Sequence, residues 1–250
     1  MGNALQEKEA GCGGCGRPKV LEPHFAIKMR DAVYNKLNIT ARSDFKNSYY
    51  AKFTKLYGIS EEQFMEYYDE SLYGGYPEAP KGSMWETEGK ALYVLIRILK
   101  PQRILEIGNL YGASSNHILQ AVEANGSGFV DLLDIEDELI REIMHNRNYA
   151  RIVANSLIYL KRDDIDYDFI VQDSRPDFHH VKAELLALFE HNQASDYTIW
   201  AHNYFKPASP FYGVNTAYNL LQANFTQFEP MKDTASDAGF LIARRQHDVE

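Results

Sequence analysis

The sequence predicts an α/β fold: a doubly wound, mostly parallel sheet of seven strands with an antiparallel last strand, preceded by an N-terminal helical appendage. Two observations carry this reading. The apolar run Ile104-Leu-Glu-Ile107 is followed by Gly108, Asn109 and Gly112 and then by a helical pattern, which is how a strand that ends at a ligand is written. Beyond Pro80, segments of strand and helix character alternate, and repeated βα units imply a parallel sheet covered on both faces.

Taken in order, residues 1–20 are rich in glycine and charge and read as a disordered tail. The chain's two cysteines fall there, in Cys12-Gly-Gly-Cys15. That pair lacks a second ligand pair and a neighbouring strand-helix unit, so a flexible tail is favoured over a redox pair, half a zinc site or a metal bridge between two chains. Residues 21–82 form the helical appendage, or lid. Phe25, Met29, Ala32 and Val33 recur at helix spacing, Ser60-Glu-Glu-Gln63 is a capping box, and Gly74-Gly75-Tyr76-Pro77 breaks the pattern. The appendage holds Tyr34, Tyr49, Tyr50, Tyr57, Tyr67, Tyr68, Tyr73 and Tyr76. Tyrosines at this spacing serve a core, the interface of a homodimer or the wall of a substrate pocket.

Residues 83–250 carry the sheet. A helix over 87–99 shows Leu92, Leu95, Ile96 and Leu99 on one face and stops at Pro101. Strands follow at Arg103–Ile107, Phe129–Leu133, Arg151–Ala154, Phe169–Gln172, Thr198–Ala201, Gln227–Glu229 and Gly239–Ala243. Helices are expected near 113–124, 136–147, 178–191 and 214–223. No helix separates the last two strands, so they should pair antiparallel.

Composition narrows the partners. The 250 residues include 26 basic and 35 acidic side chains, a net charge of −9. Counterion release then gives little drive toward nucleic acid, and a small-molecule partner is favoured. Met1 to Gly11 is polar with no apolar core, no run reaches the roughly 20 apolar residues of a membrane span, and a cytoplasmic location is expected. Gly2 suits N-myristoylation, but Gln6 does not.

The strand ends hold the chemistry. After the first come Glu106, Gly108, Asn109, Gly112 and Ser114, with an acid where a pyrophosphate would be repelled and a cationic ligand welcomed. The stretch E-x-G-x-x-x-G-x-S resembles the first motif of class I S-adenosylmethionine (SAM)-dependent methyltransferases, a Rossmann-like family. By that resemblance SAM is the cofactor and Glu106 reads its methionine ammonium. Helix N–H groups beyond Gly112 would face its carboxylate. Asp134, 22 residues past Gly112, is the candidate for the ribose hydroxyls, with a helix cap as its plainer alternative. Asn155 and Ser156 follow the third strand, where the family contacts adenine, Asn155 standing in place of an acid.

Asp173 ends the fourth strand and resembles the Asp-Gly-x-His stretch of macrocin-type and related small-molecule O-methyltransferases, with Ser174 and Pro176 replacing Gly and His. His202 and Asn203 end the fifth, like the family's His-Asp segment. Asp173, His202 and Asn203 form an oxygen/nitrogen set for Mg²⁺ or a similar divalent metal. Alternatively His202 is a general base, with Asp173 beside it, or simply a structural histidine. His179 and His180 open a helix as surface or substrate-edge residues. The resemblance spans Trp85 to Arg245 and implies a SAM-dependent enzyme that methylates a small-molecule acceptor, at a hydroxyl oxygen. Its rival is an inactive module that binds SAM or a partner.

Overall fold

Residues 49–71, 84–137, 148–232 and 236–246 are described by the computed structural model. The expectations for the tail with Cys12 and Cys15, for the helical pattern before Tyr49, for the Gly74–Pro77 break and for most of the helix near 136–147 lie outside them. In order the elements are α1 (Ala51–Tyr57), α2 (Glu61–Glu70), α3 (Glu86–Leu99), β1 (Arg103–Ile107), α4 (Ala113–Asn125), β2 (Phe129–Asp134), β3 (Tyr149–Val153), α5 (Ser156–Tyr159), β4 (Phe169–Gln172), α6 (Phe178–His191), β5 (Asp196–His202), α7 (Val214–Leu220), a 3₁₀ turn (Gln222–Asn224), β6 (Gln227–Met231) and β7 (Phe240–Gln246).

The seven strands form one sheet in the order β3-β2-β1-β4-β5-β7-β6. β1 to β5 run parallel, while β7 lies antiparallel between β5 and β6. The chain reverses its winding between β1 and β4, and a crevice opens outside the carboxyl ends of the strands at such a switch point.

Alternation along each strand sorts side chains between two layers. Ile104, Val130, Val171, Trp200 and Ile242 pack with α3, α4 and the aromatic residues of α1 and α2. Leu105, Ile107, Ile170, Ile199 and Leu241 pack with the α6 and α7 side. Helices α1 and α2 therefore share a core with the sheet: Phe53 and Phe64 are buried there, and Tyr49 meets Phe240 at 5.3 Å between ring centroids.

Local signals explain the helix ends. Ser60 Oγ accepts the Gln63 amide at 3.2 Å, but the Gln63 side chain turns to the Tyr67 hydroxyl rather than closing the reciprocal half of a capping box. Lys100, left-handed at φ 49°, ends α3 just before Pro101. Asp177 caps α6 by accepting the His179 and His180 amides. Among the described residues no helix is long and apolar enough to cross a membrane.

Candidate functional site

A cavity of 390 Å³ opens at the switch point, its wall including Gly108, Asp134, Asn155, Ser156, Asp173 and His180. It falls within the usual size range of small-molecule sites. Gly108 sits at its floor with φ 88°, its amide bonded to the Leu133 carbonyl, and a Cβ at this position would run into the Asp173 backbone. Only glycine meets both demands. Gly112, with φ 86°, opens α4 behind it.

Glu106 does not reach the cavity. Strand alternation turns it to the α4 side of the sheet, where it is fully buried and accepts hydrogen bonds from the Ser114 and Ser115 hydroxyls. Burial pushes its carboxyl up to about 7, and the two serines only partly oppose this. Glu106, expected to read a ligand ammonium, has its oxygens engaged by serines below the floor. Asn109 and Ser114 are buried, and neither they nor Gly112 belongs to the cavity wall.

Asp134 reaches the wall from β2. Its Oδ2 accepts the Leu110 amide at 2.7 Å and its Oδ1 the Glu136 amide at 3.1 Å, which fixes the carboxylate while leaving lone pairs for a ligand. Beside it Ile135 is 65% exposed, an apolar surface facing a polar edge. Across the cavity Asn155 caps α5 through the Leu157 amide at 2.9 Å. Ser156 Oγ lies 3.2 Å from His180 Nε2, and the same nitrogen lies 3.0 Å from the buried Glu184. That carboxylate raises the His180 pKa against the effect of burial.

Asp173, His202 and Asn203 converge where β4 and β5 end. His202 Nδ1 lies 2.9 Å from Asp173 Oδ1, and Asn203 Nδ2 donates to the same oxygen at 3.3 Å. The other imidazole nitrogen lies 3.1 Å from Oε2 of Glu88, on α3. Burial works against a charge on His202, but Asp173 and then Glu88 outweigh it and push the pKa up to about 10. Both imidazole nitrogens thus lie against carboxylates, Nδ1 also lying 3.1 Å from the Asn203 amide nitrogen, an arrangement that suits an imidazolium rather than the general base expected from the sequence. In this arrangement Asp173, His202 and Asn203, the set expected for a metal, bond to one another rather than pointing lone pairs at a common centre. Among the described residues no group of three or more His, Cys, Asp or Glu side chains is placed to hold a metal ion.

No protein-family model matches the chain, and no curated protein matches it. Solved structures do. An O-methyltransferase from Bacillus cereus in complex with S-adenosylhomocysteine (SAH) superposes with a TM-score of 0.54 at 18% identity, over 78% of this chain and 96% of the other. The chain shares the fold of this solved structure. Two more structures share it. TomG from Streptomyces achromogenes, an O-methyltransferase of tomaymycin synthesis in complex with SAM, gives 0.53 at 15% identity over 79% and 95% of the chains. The SAH-bound methyltransferase PaMTH1 of Podospora anserina gives 0.50 at 17% identity over 93% and 100%.

Within this fold, Gly108, Asp134, Asn155, Ser156 and Asp173 are brought together around one cavity, and His202 and Asn203 contact Asp173. Sequence reasoning overlooked Glu88. A glutamate three residues into a helix reads as a cap, and it does lie 3.4 Å from the Trp85 amide, so nothing in the sequence pointed to a partner 114 residues away. Glu184 was likewise hidden, in the middle of an amphipathic helix.

Proposed function

We propose that the chain is a SAM-dependent methyltransferase acting on a small-molecule acceptor at a hydroxyl oxygen. The observation that carries this reading is the Asp134 carboxylate, held rigid at the cavity wall beside Gly108 and the exposed face of Ile135: an acceptor pair for two ribose hydroxyls next to an apolar platform for a purine. The residues present fit SAM. Asp134 would hold the ribose, Asn155, Ser156 and Ile135 the adenine, and Gly108 the methionine portion. The solved structures of like fold that bind SAM or SAH support the same cofactor.

SAM supplies an activated methyl group. The chain's own task is to align the acceptor oxygen with it and to take the proton released as the O–C bond forms and the C–S bond breaks. Asp173 is the group placed for that proton, because it lines the cavity and its Oδ2 makes no hydrogen bond among the described residues. The net charge of −9 supports a small-molecule acceptor over nucleic acid, and we place the enzyme in the cytoplasm.

Calorimetry with SAH tests the cofactor. Asp134→Ala should weaken binding about 10-fold or more, the value of hydrogen bonds to a charged group. Undiminished affinity in a variant with native circular dichroism would overturn the reading. With an acceptor in hand, Asp173→Asn should lower kcat by about 100-fold or more.

A further inference from the structure

We propose that the His202 imidazolium, clamped between Glu88 and Asp173, occupies the place that the ends of β4 and β5 offer to a divalent cation, and that the chain positions Asp173 without a metal. Three separate elements build this clamp: Glu88 comes from α3, Asp173 from the end of β4 and His202 from the end of β5. The imidazole lies 2.9 Å from one carboxylate and 3.1 Å from the other. A neutral ring has one N–H, so one of these contacts would set a lone pair against a carboxylate oxygen. With Glu88 fully buried and His202 5% exposed, water does not relieve that repulsion.

The surroundings hold the clamp in this sense. Glu88 Oε1 accepts the Ser236 hydroxyl at 2.6 Å, and its Oε2 faces the Trp85 amide as well as His202. Asn203 presents its amide nitrogen, not its oxygen, to Asp173. A hard cation needs several oxygen lone pairs directed at one point. Here Asp173 Oδ1 faces two nitrogen donors and both ring nitrogens are already engaged, Nδ1 by Asp173 and the Asn203 amide and Nε2 by Glu88. The fixed positive charge does for Asp173 what an ion would: it orients the carboxylate through Oδ1 and leaves Oδ2 without a hydrogen bond among the described residues. Glu88 and His202 are positioning residues.

The tests read metal binding and protonation rather than turnover, so they succeed or fail independently of the cofactor reading, which SAH calorimetry on the same sample reports. The probe is Mn²⁺ alone, followed by electron paramagnetic resonance on the full chain. His202→Asp combined with Glu88→Gln removes the imidazolium, replaces the buried Glu88 carboxylate by a neutral amide and puts a second carboxylate beside Asp173. This double variant should bind Mn²⁺ at least about tenfold more tightly than the wild type. A folded double variant that binds no more tightly than the wild type would overturn the proposal. Nitrogen-15 NMR of the wild type supplies a measurement that needs no variant to fold well. At about pH 8, well above the ordinary histidine pKa, both ring nitrogens of His202 should carry protons, and a neutral ring would overturn the proposal.

Discussion

Burying Glu106 beneath α4 gives the fold a carboxyl group whose ionisation works against it. Its folded pKa, about 7 through burial, lies above the unfolded value of about 4.3. The stabilising contribution is therefore present below about pH 4.3 and is lost as pH rises through 7. Glu106→Gln keeps an acceptor for Ser114 and a donor for Ser115 without the charge. Urea unfolding should show the wild type losing about 1–3 kcal/mol relative to this variant between roughly pH 4 and pH 8; parallel curves would contradict it. His117 behaves in the opposite sense: burial, with Lys90 nearby, lowers its pKa to about 4. Its contribution is present above the ordinary value of about 6.5 and is lost as pH falls through 4. At this scale the sequence disclosed the residues at strand ends, because a glycine turn after an apolar run announces where backbone meets ligand. It did not disclose where Glu106 points, since that depends on which helix closes over that face of β1.

Helix α6 was legible to the residue, and its first turn shows why: Asp177 accepts both the His179 and His180 amides at 3.2 Å. Asp177→Ala should lower stability by about 1 kcal/mol and speed hydrogen exchange at those two amides. If stability and exchange are both unchanged, the cap is not what anchors this turn. The same turn holds His180 against Ser156 and Glu184, so fraying it loosens the cavity wall. Other elements were less legible. Helix α5 spans only Ser156–Tyr159, too few residues for a periodic signature, and only its Asn155 cap marks it. Strand β5 runs from Asp196 to His202, longer than its apolar stretch suggests, because pairing with β7 continues to Asp196 opposite Gln246 and to His202 opposite Phe240. Pairing partners far along the chain set strand length, and local propensity does not carry that information.

Across the molecule, the aromatic side chains of residues 49–70 complete one layer of the core instead of resting on its surface. Tyr49, Phe53, Phe64 and Tyr68 are all buried in the cluster that includes Val171, Trp200 and Phe240. Their burial is worth on the order of 10 kcal/mol or more, comparable with the entire stability of about 5–15 kcal/mol of an ordinary domain. A chain beginning at Gly82 should therefore lack cooperative thermal unfolding; a sharp calorimetric transition near that of the full chain would show the two helices to be dispensable. The topology was foreseeable in its alternation, yet the insertion of β7 between β5 and β6 follows from no local pattern. That insertion has a consequence during synthesis. Strand β5 is made before β6 and β7, but its outer edge is closed only by the last of the seven strands. A nascent chain that has emerged through β6 presents the unpaired backbone of residues 196–202 to its surroundings, a template for joining another unfinished chain. His202 lies on this edge, opposite Phe240, so the strand that carries the clamp completes its pairing only when the last strand has been made.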